Sequence, residues 1–351
     1  FSLISSSFSF LVLLLIFKYE LLGKLDYALR SFSIENEISL SLLFFGSIYF
    51  INDTLNTPFQ LYRNFIIEEK FGFNKMNFKT FFLDKIKSYF LVIIIGGLLI
   101  TILLISIIYF SNNFWIYFWI FISLFTVFIN LFYTSLILPI FNKLKPLEDG
   151  SLKDKIYNYA KSVNFPLSNI FVIDGSKRSS KANAFFSGLG KSKKIVLYDT
   201  LIKNHSDEEL VSVLAHEVGH YKNKHIVSNL ILSILFTGFM LFVLSKFLFN
   251  SEVSFALGGD VSFRHFELFA FSILYSPISY ILGIFMNIKS RINEYEADNY
   301  AIKTFDKIHL INALKNLSKD NLVNLTPNPV YVFVNYSHPT LHHRIKAMTQ
   351  V

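Results

Sequence analysis

The chain has 351 residues, no cysteine, a formal net charge of +8 and 52% hydrophobic residues, with a mean hydropathy of +0.45. Such a composition excludes an ordinary soluble enzyme and makes the bilayer part of the solvent. The lack of cysteine excludes disulfides, thiolate metal ligands and thiol nucleophiles, and the basic residues are scattered through loops, which predicts no nucleic-acid partner.

Apolar runs long enough to cross a bilayer occur at residues 2–17, 38–58, 88–110, 114–141, 226–249 and 266–288. The first has no basic segment before it and no small-residue cleavage site after it, so it reads as the end of a true span rather than a signal peptide. Arg63, Lys70, Lys75, Lys79, Lys85 and Lys87 follow the second run, Lys143 and Lys145 the fourth, and Lys289 and Arg291 the sixth, whereas Ser111-Asn112-Asn113 carries no charge. Positive charge collects on the cytoplasmic side of membrane proteins, so residues 142–225 and the C-terminus are expected there. The chain divides accordingly into N-terminal membrane helices at 1–141, a cytoplasmic α+β segment at 142–225, a membrane hairpin at 226–288 and a C-terminal helical segment at 289–351. The expected fold is an α-helical multi-pass membrane protein carrying a small cytoplasmic α+β domain.

Within 142–225, residues 154–163 have amphipathic helical spacing and residues 170–173 read as a short strand. Residues 184–189 and 194–198 read as a strand pair joined through Gly190-Lys191-Ser192-Lys193, which would leave an edge open to an extended peptide. A helix then opens at Asp207, with Ser206 as N-cap and Glu209 as its capping-box partner.

On that helix lies His216-Glu217-Val218-Gly219-His220. His216 and His220 are four residues apart, so their imidazoles leave the same face and can hold one zinc ion, while Glu217 stands beside them to take a proton from water. The motif alone equally describes two exposed histidines beside a glutamate, and the third ligand decides the class. An all-histidine zincin requires a third His where this chain has Ile226 and a Gly where it has Asn223. His225 is one residue out of that register and reads as a cap of the helix end.

Farther on, Glu294 and Asp298 are four residues apart on one helical face, whereas Glu296 points about 200° away. Glu294 is therefore the expected third ligand, and Asp298 is placed to accept a hydrogen bond from a ligand imidazole; without the histidine motif the pair would read as a solvated acidic face. His338 and Arg344, in and after Ser337-His338-Pro339-Thr340, are candidates for stabilising an oxyanion or bracing the carboxylates. His205, His265, His309, His342 and His343 read as surface residues.

Taken together, residues 65–75, 138–150, 175–180, 183–188 and 195–201, the HEVGH motif, the Glu294/Asp298 pair and residues 336–344 closely resemble the type I CAAX prenyl endopeptidases, integral-membrane gluzincins. The likeness covers nearly the whole chain. It implies membrane helices enclosing a large water-filled chamber with the protease site at its cytoplasmic end. It also implies zinc on His216, His220 and Glu294, with Glu217 as general base. Asn183, with Ala184 and Phe185, would lie on the strand that pairs with substrate, and His338 and Arg344 would contact the substrate carbonyl or the carboxylates of the site. The family pattern has seven spans against six apolar runs here, so a further helix ahead of Phe1 is expected. It also has a His shortly before the Asn, where this chain has Lys181.

The leading expectation is an endopeptidase of the inner membrane of a bacterium or the endoplasmic reticulum of a eukaryote, acting near the C-terminus of prenylated proteins or peptides. One alternative keeps the chemistry but makes the client a misfolded membrane protein, as in HtpX-like quality-control proteases. Another is an inert membrane scaffold or transporter with structural zinc, which the presence of Glu217 disfavours.

Overall fold

A computed structural model describes residues 1–33, 36–187, 193–260 and 263–350. Helices dominate because the apolar runs can satisfy their backbone polar groups within a bilayer only by bonding along the chain. Among the described residues, Glu37–Glu68, Phe78–Phe141 and His225–Phe247 are long and apolar enough to cross a membrane, and two bent pairs, Ser2–Lys18 with Leu21–Arg30 and Arg264–Leu274 with Ser276–Thr304, raise the number to five. Phe78–Phe141 contains 64 residues, about 96 Å of helix against a hydrocarbon core of about 30 Å. It therefore contains two crossings and accounts for two of the six apolar runs. The break falls at Ser111–Asn113, where Ser111 takes a positive φ of 45°.

The chain forms two compact units built from interleaved segments. The first comprises residues 1–68, 81–124 and 234–277. Its main core joins Ile107, Phe114 and Phe118 to Leu241, Leu244, Leu248, Phe271 and Tyr275. Gly238 admits the Trp119 indole, since a Cβ there would lie 2.8 Å from the ring, and Trp119 Nε1 donates to the Ile234 carbonyl at 2.8 Å.

His265 is not a surface residue: it is fully buried in this unit, with Nε2 3.2 Å from Asp26 Oδ1 and Nδ1 3.2 Å from Ser41 Oγ. Neighbouring apolar residues gave no hint of partners more than two hundred positions away. His205, also read as a surface residue, is buried in the second unit with Nδ1 3.2 Å from the Leu201 carbonyl.

The second unit comprises residues 69–80, 125–233 and 278–351. Its sheet has the order β1-β2-β4-β3, with β1 Leu144–Pro146, β2 Leu167–Ile173, β3 Ala184–Ser187 and β4 Lys193–Tyr198. β2 and β4 are parallel and the other pairs antiparallel. The predicted hairpin of β3 and β4 is present, although Leu189 and most of its connection lie outside the described residues. Strand β1 escaped the sequence because three residues show no alternation; Asp174 ties it down by accepting from the Lys143 backbone N–H at 2.8 Å.

The core of this unit packs Leu210, Val211, Leu214, Ala215 and Val218 of helix Asp207–Lys222 against Ile156, Tyr159 and Ala160 of helix Ser151–Ser162, with Ala301 and Leu310 on the C-terminal helices. Each large apolar side chain buried here contributes about 1.5–3 kcal/mol.

Candidate metal centre

Helix Asp207–Lys222, the motif helix, begins where the sequence places it. Ser206 Oγ accepts from the Glu209 N–H, and the Glu209 carboxylate accepts from the Ser206 N–H at 3.1 Å, closing a capping box. Asn316 holds the other Glu209 oxygen at 2.8 Å. The apolar face of the helix is buried, and His216 and His220 reach Glu294 on helix Ser276–Thr304, the carboxylate helix. Gly219 permits the approach: a Cβ there would lie 2.9 Å from the Ala297 Cα and carbonyl oxygen, backbone atoms with no freedom to yield.

The two helices bring His216, His220 and Glu294 into one group able to hold a metal ion. His216 Nε2 lies 3.2 Å from His220 Nε2 and 3.4 Å from Glu294 Oε2, and His220 Nε2 lies 3.3 Å from Glu294 Oε1. Ligands about 2.0–2.1 Å from a tetrahedral zinc ion stand about 3.3 Å apart, which the two imidazole nitrogens match, while Glu294 turns one oxygen to each ring, so the carboxylate is within reach of an ion held between them. Glu294 Oε2 is buried and lacks an aligned hydrogen bond, although His338 Nδ1 and Arg344 Nη1 lie 3.0 and 3.4 Å away. The donor set contains only imidazole and carboxylate, consistent with the absence of cysteine.

Charge is compatible with the same conclusion. Glu294, Asp298 and Glu217 supply three carboxylates, and Arg344 is the cation packed among them. Without a metal the His216 imidazolium offsets part of the remaining negative charge, and a divalent ion bound in its place would do the same, whereas unpaired buried charge is costly.

Asp298 is buried and receives Arg344 in a two-pronged contact, Nε to Oδ2 at 2.8 Å and Nη2 to Oδ1 at 2.6 Å. Its Oδ1 also lies 2.9 Å from His216 Nδ1. Arg344 is delivered by helix Leu341–Thr349, whose N-cap Thr340 accepts from the His343 N–H. His338 is 65% exposed yet places Nδ1 3.0 Å from Glu294 Oε2. It borders the site while one ring nitrogen stays free for a ligand.

The electrostatics follow from these contacts. Burial alone would lower the His216 pKa, but its contacts to Asp298 and Glu294 outweigh burial and raise it to about 9. A metal ion binding the same nitrogen must displace that proton. Burial pushes the Glu217 carboxyl above its ordinary value, with the His216 and His220 imidazoles pulling the other way. Desolvation opposes the Arg344 charge, yet the Asp298 carboxylate holds its pKa above the usual guanidinium value.

His225 does not cap the end of the motif helix. The helix ends at Lys222, Lys224 takes a left-handed φ of 59°, and His225 opens the next helix, His225–Phe247. That turn sets His225 Nδ1 2.9 Å from His220 Nδ1 and His225 Nε2 2.8 Å from Glu296 Oε2. Glu296 stays outside the three-ligand group, as its helical phase requires, but holds this neighbouring ring. The available signal was the short spacing from His220 to His225, which becomes a contact only through the left-handed residue between them.

The candidate peptide edge is β3, an outer strand of the sheet. The Tyr198 N–H donates to the Asn183 carbonyl at 3.1 Å. Ladder alternation then turns Phe185 toward β4 and the backbone groups of Ala184 and Phe186 toward the open edge. The Ala184 N–H is already held by Asn183 Oδ1 at 2.9 Å. Lys181, where the resembled family has a histidine, lays its ammonium over the Phe73 ring at 4.4 Å.

Comparison with known proteins yields consistent matches over the whole chain. Residues 1–143 match a family described as CAAX prenyl protease N-terminal, five membrane helices, and residues 146–351 match peptidase family M48. CAAX prenyl protease 1 of Saccharomyces cerevisiae is 35% identical over 100% of this chain and 83% of its own length. The CAAX prenyl protease 1 homolog of Homo sapiens is 32% identical over 90% of this chain and 75% of its own length. The crystal structure of S. mikatae Ste24p superposes with a TM-score of 0.94 at 35% identity, covering 99% of this chain and 85% of that one.

Proposed function

The chain belongs to peptidase family M48, as an integral-membrane metalloendopeptidase of the CAAX prenyl protease type, and from that premise we propose that it is a zinc enzyme cleaving near the C-terminus of prenylated CAAX proteins, with its active site facing the cytoplasm. The observation that carries the reading is the convergence of His216 Nε2, His220 Nε2 and the Glu294 carboxylate into one group able to hold a metal ion, with Glu217 next to His216 in the chain. Relatives named CAAX prenyl protease 1 in fungi and animals support the substrate class over a general quality-control role. The basic residues after the second, fourth and sixth apolar runs support the cytoplasmic orientation.

His216, His220 and Glu294 would hold the ion. Bound there, zinc would polarise the scissile carbonyl and lower the pKa of a water to about 7. Glu217 takes the proton of the attacking water on its carboxylate and passes it to the leaving amine as the peptide bond breaks. Asp298 fixes His216 by accepting from its Nδ1–H, and Arg344 keeps Asp298 oriented and charged. His338, anchored at one ring nitrogen and exposed at the other, donates to the developing oxyanion. On β3, Ala184 and Phe186 offer backbone pairing to an extended substrate, and Asn183 shapes the end of that edge.

The test is cleavage of a farnesylated CAAX peptide by the full chain in lipid nanodiscs, beside the same peptide without its prenyl group and an unfolded membrane protein. Chelator-sensitive cleavage that favours the farnesylated peptide is expected. Equal or better turnover of the unfolded protein would transfer the site to quality control, and chelator-resistant cleavage would remove the metal from the mechanism.

A further inference from the structure

The two ligand histidines are not supported alike. His216 Nδ1 faces the buried, arginine-paired carboxylate of Asp298 at 2.9 Å. His220 Nδ1 has no carboxylate; it faces another imidazole nitrogen, His225 Nδ1, also at 2.9 Å. Two like nitrogens at this distance attract only when one carries the proton and the other a lone pair.

The far side of His225 decides which. Its Nε2 is 2.8 Å from Glu296 Oε2, and a carboxylate can only accept, so the His225 proton sits on Nε2 and its Nδ1 is the acceptor. His220 therefore donates from Nδ1 and leaves the Nε2 lone pair directed at His216 Nε2 and Glu294. This is the tautomer a metal ligand needs, reached through one additional ring.

We propose that His225 and Glu296 form a positioning relay that fixes His220 as an Nε2 ligand, serving the second histidine as Asp298 serves the first. The proposal rests on the metal reading of the site. Three features set the relay apart from a chance contact. His225 is 4% exposed, so its polar atoms need partners within the protein. Lys224 adopts a left-handed conformation, disfavoured for a residue with a Cβ, and thereby turns the ring of His225 back to within 2.9 Å of His220. Glu296 lies on the same helix as Glu294 but half a turn round, so one helix supplies a ligand to the metal and an anchor to the relay. Because the relay ends on a carboxylate that is 54% exposed, its hold is weaker than that of the buried Asp298, and His220 is the ligand more easily released.

The experiment is zinc competition against a chromogenic chelator with the purified full chain, using zinc alone as probe and comparing wild type with His225→Phe, His225→Asn and Glu296→Gln. Phe keeps the ring volume and removes the acceptor, so zinc affinity should fall about 10- to 100-fold. Asn offers an oxygen at the position of Nδ1 and should recover most of that loss, while Gln at 296 still accepts and should cost only a few-fold. Retention of wild-type affinity by His225→Phe, while wild type binds zinc, would overturn the relay alone, and so would His225→Asn binding as poorly as His225→Phe. A wild-type chain that binds no zinc would overturn the metal reading and the relay with it. Glu296→Gln alters an exposed side chain, so it reports on the relay even where a variant at the buried His225 fails to fold.

Discussion

Each of the two compact units buries a histidine against an aspartate, and only one of these contacts has the geometry of a metal site. In the first unit His265 meets Asp26 through Nε2 and Ser41 through Nδ1, while Phe44 and Phe266 pack around the ring at 4.3 and 4.6 Å between centroids. Nε2 lies near Asp26 without an aligned hydrogen bond, and the rings of Phe44, Phe263 and Phe266 close the space around it. In the second unit His216 gives Nδ1 to Asp298 and leaves Nε2 facing His220 and Glu294. Burial and a carboxylate partner are thus common to a structural histidine and a ligand. The distinguishing feature is a second nitrogen turned toward another imidazole nitrogen and a carboxylate, donors that a proton or a metal ion can share.

The largest effect that would sharpen this contrast is expected from Glu217→Gln, which should lower peptide hydrolysis by about 10²- to 10⁴-fold while zinc content stays at the wild-type level. Metal analysis beside a cleavage assay checks both, and near-normal turnover would remove Glu217 from the chemistry. Next, Glu294→Ala should lose its zinc, whereas Glu296→Ala should still bind it, with a loss of affinity no larger than that of His225→Phe; the reverse pattern would mean that the wrong carboxylate has been assigned.

The pH dependence follows in size. In zinc-free protein the stabilisation from the carboxylate contacts of His216 is complete below its ordinary value of 6.5 and is lost as pH rises through about 9. Zinc has to displace the same proton, so its affinity rises across that window. Thermal denaturation with and without zinc should show the gap widening with pH, and a gap that narrows would break the assignment.

In the first unit, His265→Gln should cost about 1–3 kcal/mol of stability through the lost ring packing and the disturbed Ser41 contact, Asp26 staying paired with Arg30, with zinc content unchanged. Zinc loss in that variant would erase the contrast between the two histidines. The smallest expected effect is Ser206→Ala, about 1 kcal/mol from the lost cap, read as a lower thermal midpoint with unaltered metal stoichiometry.

What the sequence disclosed follows the range of the interactions involved. The motif helix, its capping box and the common face of His216 and His220 depend on residues within a turn or two, and their spacing shows them. Glu294 was separable from Glu296 by helical phase alone. The hairpin strands announced themselves by their turn residues, whereas β1 is held by pairing with the distant β2 and by Asp174 just beyond it, and left no local pattern. The burial of His265 leaves no local sign because its neighbours Asp26 and Ser41 come from helices more than two hundred positions away. His225 was misread because the single left-handed residue at Lys224 reverses where its ring points. The close approach that Gly219 allows was present in the motif as a residue type, but its reason, the Ala297 backbone, lies on another helix.

The central claim is that two imidazoles and one carboxylate converge on a single zinc ion. Zinc K-edge X-ray absorption on the purified full chain tests it most directly. The predicted result is a low-coordinate shell of nitrogen and oxygen at about 2.0–2.1 Å, with the outer-shell signature of two imidazoles that falls to one in His220→Ala. A shell with one imidazole or none in wild type, or a six-coordinate oxygen environment, would contradict it.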